Sequence, residues 1–176
     1  MTTQPEIKLT SVKYNGSFSQ ETHCYRAMLS LKVGGKWKKL AEVSNTGRGG
    51  CDCVDTVEGV TWEQIKELDE EIEETYPRIK SEYFPDGLKR NLEILCHEHL
   101  ETWLHARDLK RKLKTHILGL TEDGKEIHQW PRKRAGRKEL TLANWIMWNT
   151  TKKQGYRNLN SMTFDEALRV YRESAV

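Results

Sequence analysis

The stretch Ser44-Asn45-Thr46-Gly47-Arg48-Gly49-Gly50-Cys51-Asp52-Cys53 holds the residues best suited to chemistry. A glycine-rich loop can turn successive N–H groups towards one point and hold an anion. Arg48 would add a fixed charge and a fork of donors. Asn45, Gly47, Arg48, Gly49 and Gly50 therefore form a candidate binding set for a small anionic ligand such as a nucleotide. The competing reading is a wide turn leaving a strand, the commoner role of glycine clusters. The spacing matches neither GxxxxGK[ST] nor GxGxxG. Cys51 with Cys53, and Cys96 with His99 three residues on in Cys96-His97-Glu98-His99, offer two pairs that could build a four-ligand site. Zinc fingers and ribbons place two to four residues between paired ligands, and only one separates Cys51 from Cys53. His97-Glu98-His99 lacks the HExxH spacing of a metalloprotease helix. A cysteine nucleophile beside Arg48, with His97, His99 or His105 as base, would need a meeting that nothing in the sequence provides. No catalytic residue, metal set or cofactor is expected.

The second candidate is basic. From Arg107 to Lys138 eleven basic residues face four acidic ones, and His116, His128 and Trp130 lie among them. Lys110, Arg111, Lys112, Arg132, Lys133 and Arg134 are the candidate phosphate contacts, since Lys and Arg neutralise phosphates without base-specific geometry. An exposed aromatic can stack on an unpaired base. No zinc finger, RNP motif or clear helix-turn-helix accompanies them. From Glu58 to Asp86 the balance reverses, with ten acidic residues against Lys66, Arg78 and Lys80. That acidic run reads as a solvated helix face.

The elements that must position these residues follow from periodicity. Residues 6–14 read as a strand. From His23 to Val33, Tyr25, Ala27, Leu29, Leu31 and Val33 alternate onto one face. Gly34-Gly35 is a hairpin signal, and Trp37 to Ser44 returns with Trp37, Ala41 and Val43 on a shared face. A sheet of about three antiparallel strands results, with one apolar face to cover. Thr61-Trp62-Glu63-Gln64 is a capping box, and Trp62, Ile65, Leu68 and Ile72 then recur at helical spacing until Tyr76-Pro77. A long helix is expected from about residue 87 to 113, with Leu88, Leu92, Leu95, His99 and Trp103 inward. Residues 116–130 read as a hairpin turning near Asp123-Gly124, and 131–138 as a basic linker. A helix over about 140–153 places Leu142, Ile146 and Thr150 on one side and widens that arc with Ala143, Trp145 and Met147; Gly155 stops it. Thr163-Phe164-Asp165-Glu166 caps a last helix to about Ser174.

The fold class expected is α+β: a small N-terminal antiparallel sheet covered by helices, followed by a β-hairpin and two C-terminal helices. It reads as one domain over 1–176, with lobes of 1–130 and 138–176 as the alternative division. At 36% apolar and 31% charged, with 15 Phe, Trp and Tyr, the chain is too apolar for disorder and has no run near the ~20 residues of a membrane span. The polar start, Met1-Thr2-Thr3-Gln4-Pro5, has no signal core. A cytoplasmic location with reduced thiols is expected, and no membrane partner.

Gln20-Glu21-Thr22, Gly34-Gly35 and Asn45-Thr46-Gly47-Arg48-Gly49-Gly50, with Arg107-Asp108-Leu109-Lys110-Arg111-Lys112-Leu113-Lys114 and the closing Leu159-Asn160-Ser161-Met162-Thr163-Phe164-Asp165-Glu166-Ala167-Leu168, resemble small proteins of tailed phages and prophages. The resemblance spans most of 18–173. It implies a phage-related origin and carries over no activity or functional residue. With no catalytic set, it makes binding to a host or phage macromolecule the expected function, with a host or phage protein as partner and inhibition of host machinery or defence as the role. Nucleic-acid binding through 107–138 and anion capture by the glycine loop are the alternatives. Oligomeric state is left open.

Overall fold

The computed structural model describes residues 4–133, 135–152 and 154–174. It is an α+β structure that divides into two units, Met1–Leu100 and Glu101–Val176. The division falls inside the second helix, and the basic segment 131–138 lies within the second unit.

In the first unit, β1 (Ile7–Tyr14), β2 (Cys24–Val33), β3 (Lys36–Thr46) and β4 (Cys53–Thr56) form one antiparallel sheet in that order. Four strands replace the expected three. β4 is short and follows directly on the glycine loop, pairing Val43 with Val54 and Ser44 with Cys53. Tyr25, Ala27 and Leu29 are buried, as alternation predicts, but the pattern breaks at Ser30. There the β2–β3 register shifts, Leu29 opposing Ala41 and Ser30 opposing Lys39. The extra residue, Leu40, is buried beside Ala41. A one-residue shift exchanges the faces of a strand. Trp37 therefore leaves the face of Ala41 and Val43, is 42% exposed, and lies under the Lys8 ammonium at 3.9 Å. Val33 is exposed too.

Helix α1 (Trp62–Thr75) starts at the expected box, with the Thr61 hydroxyl accepting from the Gln64 N–H and the Gln64 side chain accepting from the Thr61 N–H. It buries Ile65, Leu68 and Ile72, while Trp62 remains 58% exposed. Helix α2 (Leu92–Thr115) begins five residues later than the apolar spacing suggests. Leu88 is held in a bridge to Ile79, and the Asn91 side chain accepts from the Ile94 N–H as a cap. Leu88 is thus outside the helix and exposed, while Leu92, Leu95, Cys96 and Leu100 are buried.

In the second unit, β5 (His116–Leu120) and β6 (Ile127–Pro131) form the expected hairpin. A third strand, β7 (Arg157–Asn158), adds to β5 on its other edge. Helix α3 (Leu142–Thr151) is shorter than the apolar run, and Lys153 lies outside the described residues. Of its apolar residues Trp145 is the buried one; Ile146 and Met147 are exposed, which corrects the arc expected from spacing. Helix α4 (Phe164–Glu173) begins with the second capping box. Leu109, Leu118, Leu120, Leu159, Ala167, Val170 and Tyr171 form the core of this unit.

Candidate functional site

The glycine loop closes on itself. The Asn45 side chain, 8% exposed, accepts through Oδ1 from the Thr22 hydroxyl at 2.7 Å and from the Gly47 N–H at 2.9 Å. Its amide donates to the Gly50 carbonyl at 3.2 Å and to Asp52 at 3.0 Å. The Gly47 carbonyl accepts from the N–H groups of Gln20, Glu21 and Thr22, and the Gly49 N–H donates to the Thr22 hydroxyl. The N–H groups of Gly47 and Gly49, two of the candidate anion donors, are thereby committed within the protein. Gly47 has a φ of 83°, and a Cβ there would fall inside the Phe18 carbonyl. The loop thus fastens the 20–22 turn to the end of β3. Arg48 is exposed, outside this network.

Beside the loop lies a cleft of about 760 Å³ between the 19–23 turn and the first half of α2. Glu21, Asp52, Glu93 and Glu98 line it together with His23 and His97, and no Lys or Arg does. Such a field opposes an anion and favours a cation. At its floor the Tyr25 hydroxyl donates to Asp52, whose own N–H donates to Glu93 at 3.0 Å. Burial and then the bond to Asp52 raise the Tyr25 pKa far above its usual range. The thiols divide. Cys51 and Cys53 are exposed; Cys96 is 1% exposed, and burial pushes its thiol up to about 12. Among the described residues, no group of metal-ligating side chains contains Cys51, Cys53, Cys96 or His99.

The basic candidates of the second unit fall into two groups. Arg111 and Lys112 turn towards Asp108, at 2.6 Å and 3.0 Å, and Lys112 also donates to the Tyr171 hydroxyl at 2.6 Å. The single Asp108 carboxylate answers one of their two charges, and the Arg111 side chain is 77% exposed. Lys110 lies 5.5 Å from the Phe164 ring. Arg132, Lys133, Arg137 and Lys138 belong to a loop whose neck is closed by two backbone bonds, Arg132 N–H to Thr115 carbonyl and Leu140 N–H to Arg132 carbonyl. The first bond brings the loop to the C-terminus of α2, next to exposed Lys114. Lys133 is 3.8 Å from Glu139. Arg134 lies outside the described residues.

Next to this loop the rings of His128, Trp130, Trp145, Trp148 and Tyr156 form one cluster. Trp130 is 5.3 Å from Trp145, 5.8 Å from Trp148 and 5.1 Å from Tyr156, and His128 stacks on it at 6.1 Å. Gly119 makes the approach possible: a Cβ there would lie 2.9 Å from Trp130, 3.0 Å from Trp145 and 3.1 Å from Tyr156. Trp145 is buried beneath; Trp148 is 38% exposed and His128 is exposed, with Ile146 and Met147 alongside on α3.

Comparison with protein-family models, curated proteins and solved structures finds no match.

Sequence reasoning named Trp130 and the basic residues near it but not the cluster. Trp145, Trp148 and Tyr156 come from α3 and the segment after it, and only the tertiary fold brings them to β6. A single signal was present: Gly119 interrupts an apolar strand, a position that marks close approach by another group. That His23 and His97 both line the cleft was invisible for the same reason, since the two are far apart in the chain.

Proposed function

We propose that the chain acts by binding a macromolecule through its second unit, and that single-stranded nucleic acid is the target this face fits best. The observation that carries the reading is the aromatic surface of Trp148, Trp130 and His128 beside the basic loop of Arg132, Lys133, Arg137 and Lys138. Stacking is worth about 1–3 kcal/mol per base and tolerates any sequence. The basic loop supplies phosphate neutralisation. The unit holds sixteen Lys and Arg against nine Asp and Glu, a balance of +7. The phage resemblance makes a phage or host strand the natural source of the ligand.

Labelled single-stranded DNA and RNA, titrated with the full chain and followed by anisotropy, test the reading. Binding should weaken steeply with salt. Trp148→Ala should weaken it by roughly tenfold, within the range for one stacked base, measured at a temperature where the variant is still folded. Absence of binding at low salt would sink the proposal. A protein partner is the second reading, favoured by Ile146 and Met147, which are 45% and 65% exposed beside Trp148. Nuclease-resistant capture of one protein, abolished by Met147→Asp, would select it.

A further inference from the structure

The cleft of the first unit carries an inference independent of the nucleic-acid reading. His23, just before β2, and His97, on α2, stack with centroids 5.6 Å apart and planes 24° apart. A nitrogen of one lies within 4.8 Å of a nitrogen of the other. The Tyr14 ring meets His23 edge-on at 5.6 Å, which fixes the plane of that imidazole. His97 is exposed at the cleft. We propose that this pair binds a divalent first-row transition ion, Zn(II) foremost, at the mouth of the cleft.

Three observations favour this ligand class. Imidazole nitrogen suits zinc, copper and nickel, whereas magnesium and calcium take oxygen donors. Zinc bonds to histidine are about 2.0–2.1 Å, so one ion joins nitrogens up to roughly 4 Å apart. A modest rotation of His97 closes the remaining gap. The cleft also supplies the charge a dication needs, because four carboxylates and no Lys or Arg line it. Three of the four are engaged already: Asp52 accepts from Tyr25 and Asn45, Glu93 from the Asp52 N–H, and Glu98 from Arg90 at 3.1 Å. Glu21 makes no side-chain hydrogen bond or ion pair among the described residues, and its carboxylate lies over Gly49. Water would fill the remaining positions.

The test uses the full chain carrying Cys51→Ser and Cys53→Ser, so that the exposed thiols do not compete for metal. Calorimetric titration with Zn(II) at neutral pH should show one equivalent bound. His97→Ala and His23→Gln should each weaken that binding at least tenfold, with His97→Ala melting as its parent does. The electron paramagnetic resonance spectrum of the Cu(II) form should show two coordinated imidazole nitrogens, reduced to one in His97→Ala. Absence of stoichiometric binding, or binding unchanged in His97→Ala, would overturn the proposal and leave the two rings as a packing contact. If His23→Gln does not fold, the His97→Ala result decides alone.

Discussion

Asp108 accepts from three donors at once: Tyr171 at 2.6 Å, Arg111 at 2.6 Å and Lys112 at 3.0 Å. Burial alone would raise its carboxyl, but the hydrogen bonds from Tyr171, Lys112 and Arg111 together outweigh it and hold the pKa at about 2. A folded-state value below the ordinary one adds stability that is fully present above the unfolded pKa. That contribution fades as pH falls from about 4 to about 2. The side chain is still 30% exposed, so screening by solvent limits the effect to about 1 kcal/mol. Asp108→Asn should therefore melt lower than the parent near neutral pH, and the two curves should converge towards about pH 2, as thermal denaturation monitored by circular dichroism would show. The triad also changes the meaning of Arg111 and Lys112. As letters in a basic run they resemble phosphate ligands; in the fold they brace α2 against α4.

At the scale of elements, the connection from β3 to β4 is a structural clasp. The Gly47 carbonyl gathers three N–H groups from the 20–22 turn, and the residue sits at a φ that L side chains rarely adopt. Gly47→Ala should cost about 1–3 kcal/mol from the backbone alone, with the overlap on the Phe18 carbonyl added. Chemical denaturation should register it as a lower midpoint, whereas Arg48→Ala should leave the midpoint within about 0.5 kcal/mol of the parent. Elements of strong period were legible beforehand: the β2–β3 hairpin from alternation and Gly34-Gly35, and α1 and α4 from their capping boxes. What escaped was decided by tertiary pairing. β4 and β7 have four and two residues, too few to display a period. The first residues assigned to α2 have helical apolar spacing, but the backbone of Leu88 pairs with Ile79 instead. The bulge at Leu40 moved Trp37 to the other face against a pattern that reads correctly on both sides of it. Among site residues, the glycine loop and the basic loop could be named from type and spacing. The partners that give them meaning could not, because Thr22, Glu21 and the ring cluster reach them only through the fold.

For the molecule as a whole, a net charge of +3 hides unequal halves: thirteen basic against seventeen acidic residues in Met1–Leu100, and sixteen against nine in Glu101–Val176. Association with a polyanion follows local potential more than the total. Lys133→Glu with Lys138→Glu should elute from a cation exchanger at lower salt than the parent. Adding Glu67→Lys and Glu74→Lys on α1 returns the total to its original value and should not return the retention. Recovery of the parent's elution point would show that total charge governs the contact. The ring cluster over Gly119 has a consequence of another kind. Three indoles whose centroids are 5.3–6.4 Å apart share excitation, so their near-ultraviolet bands should couple and their emission should behave as one chromophore. Trp145 reports the interior and Trp148 the surface, and light absorbed by either reaches both. A quencher arriving at Trp148 would dim the buried ring as well. The second unit thus carries an optical reporter of whatever meets Trp148, readable without any label.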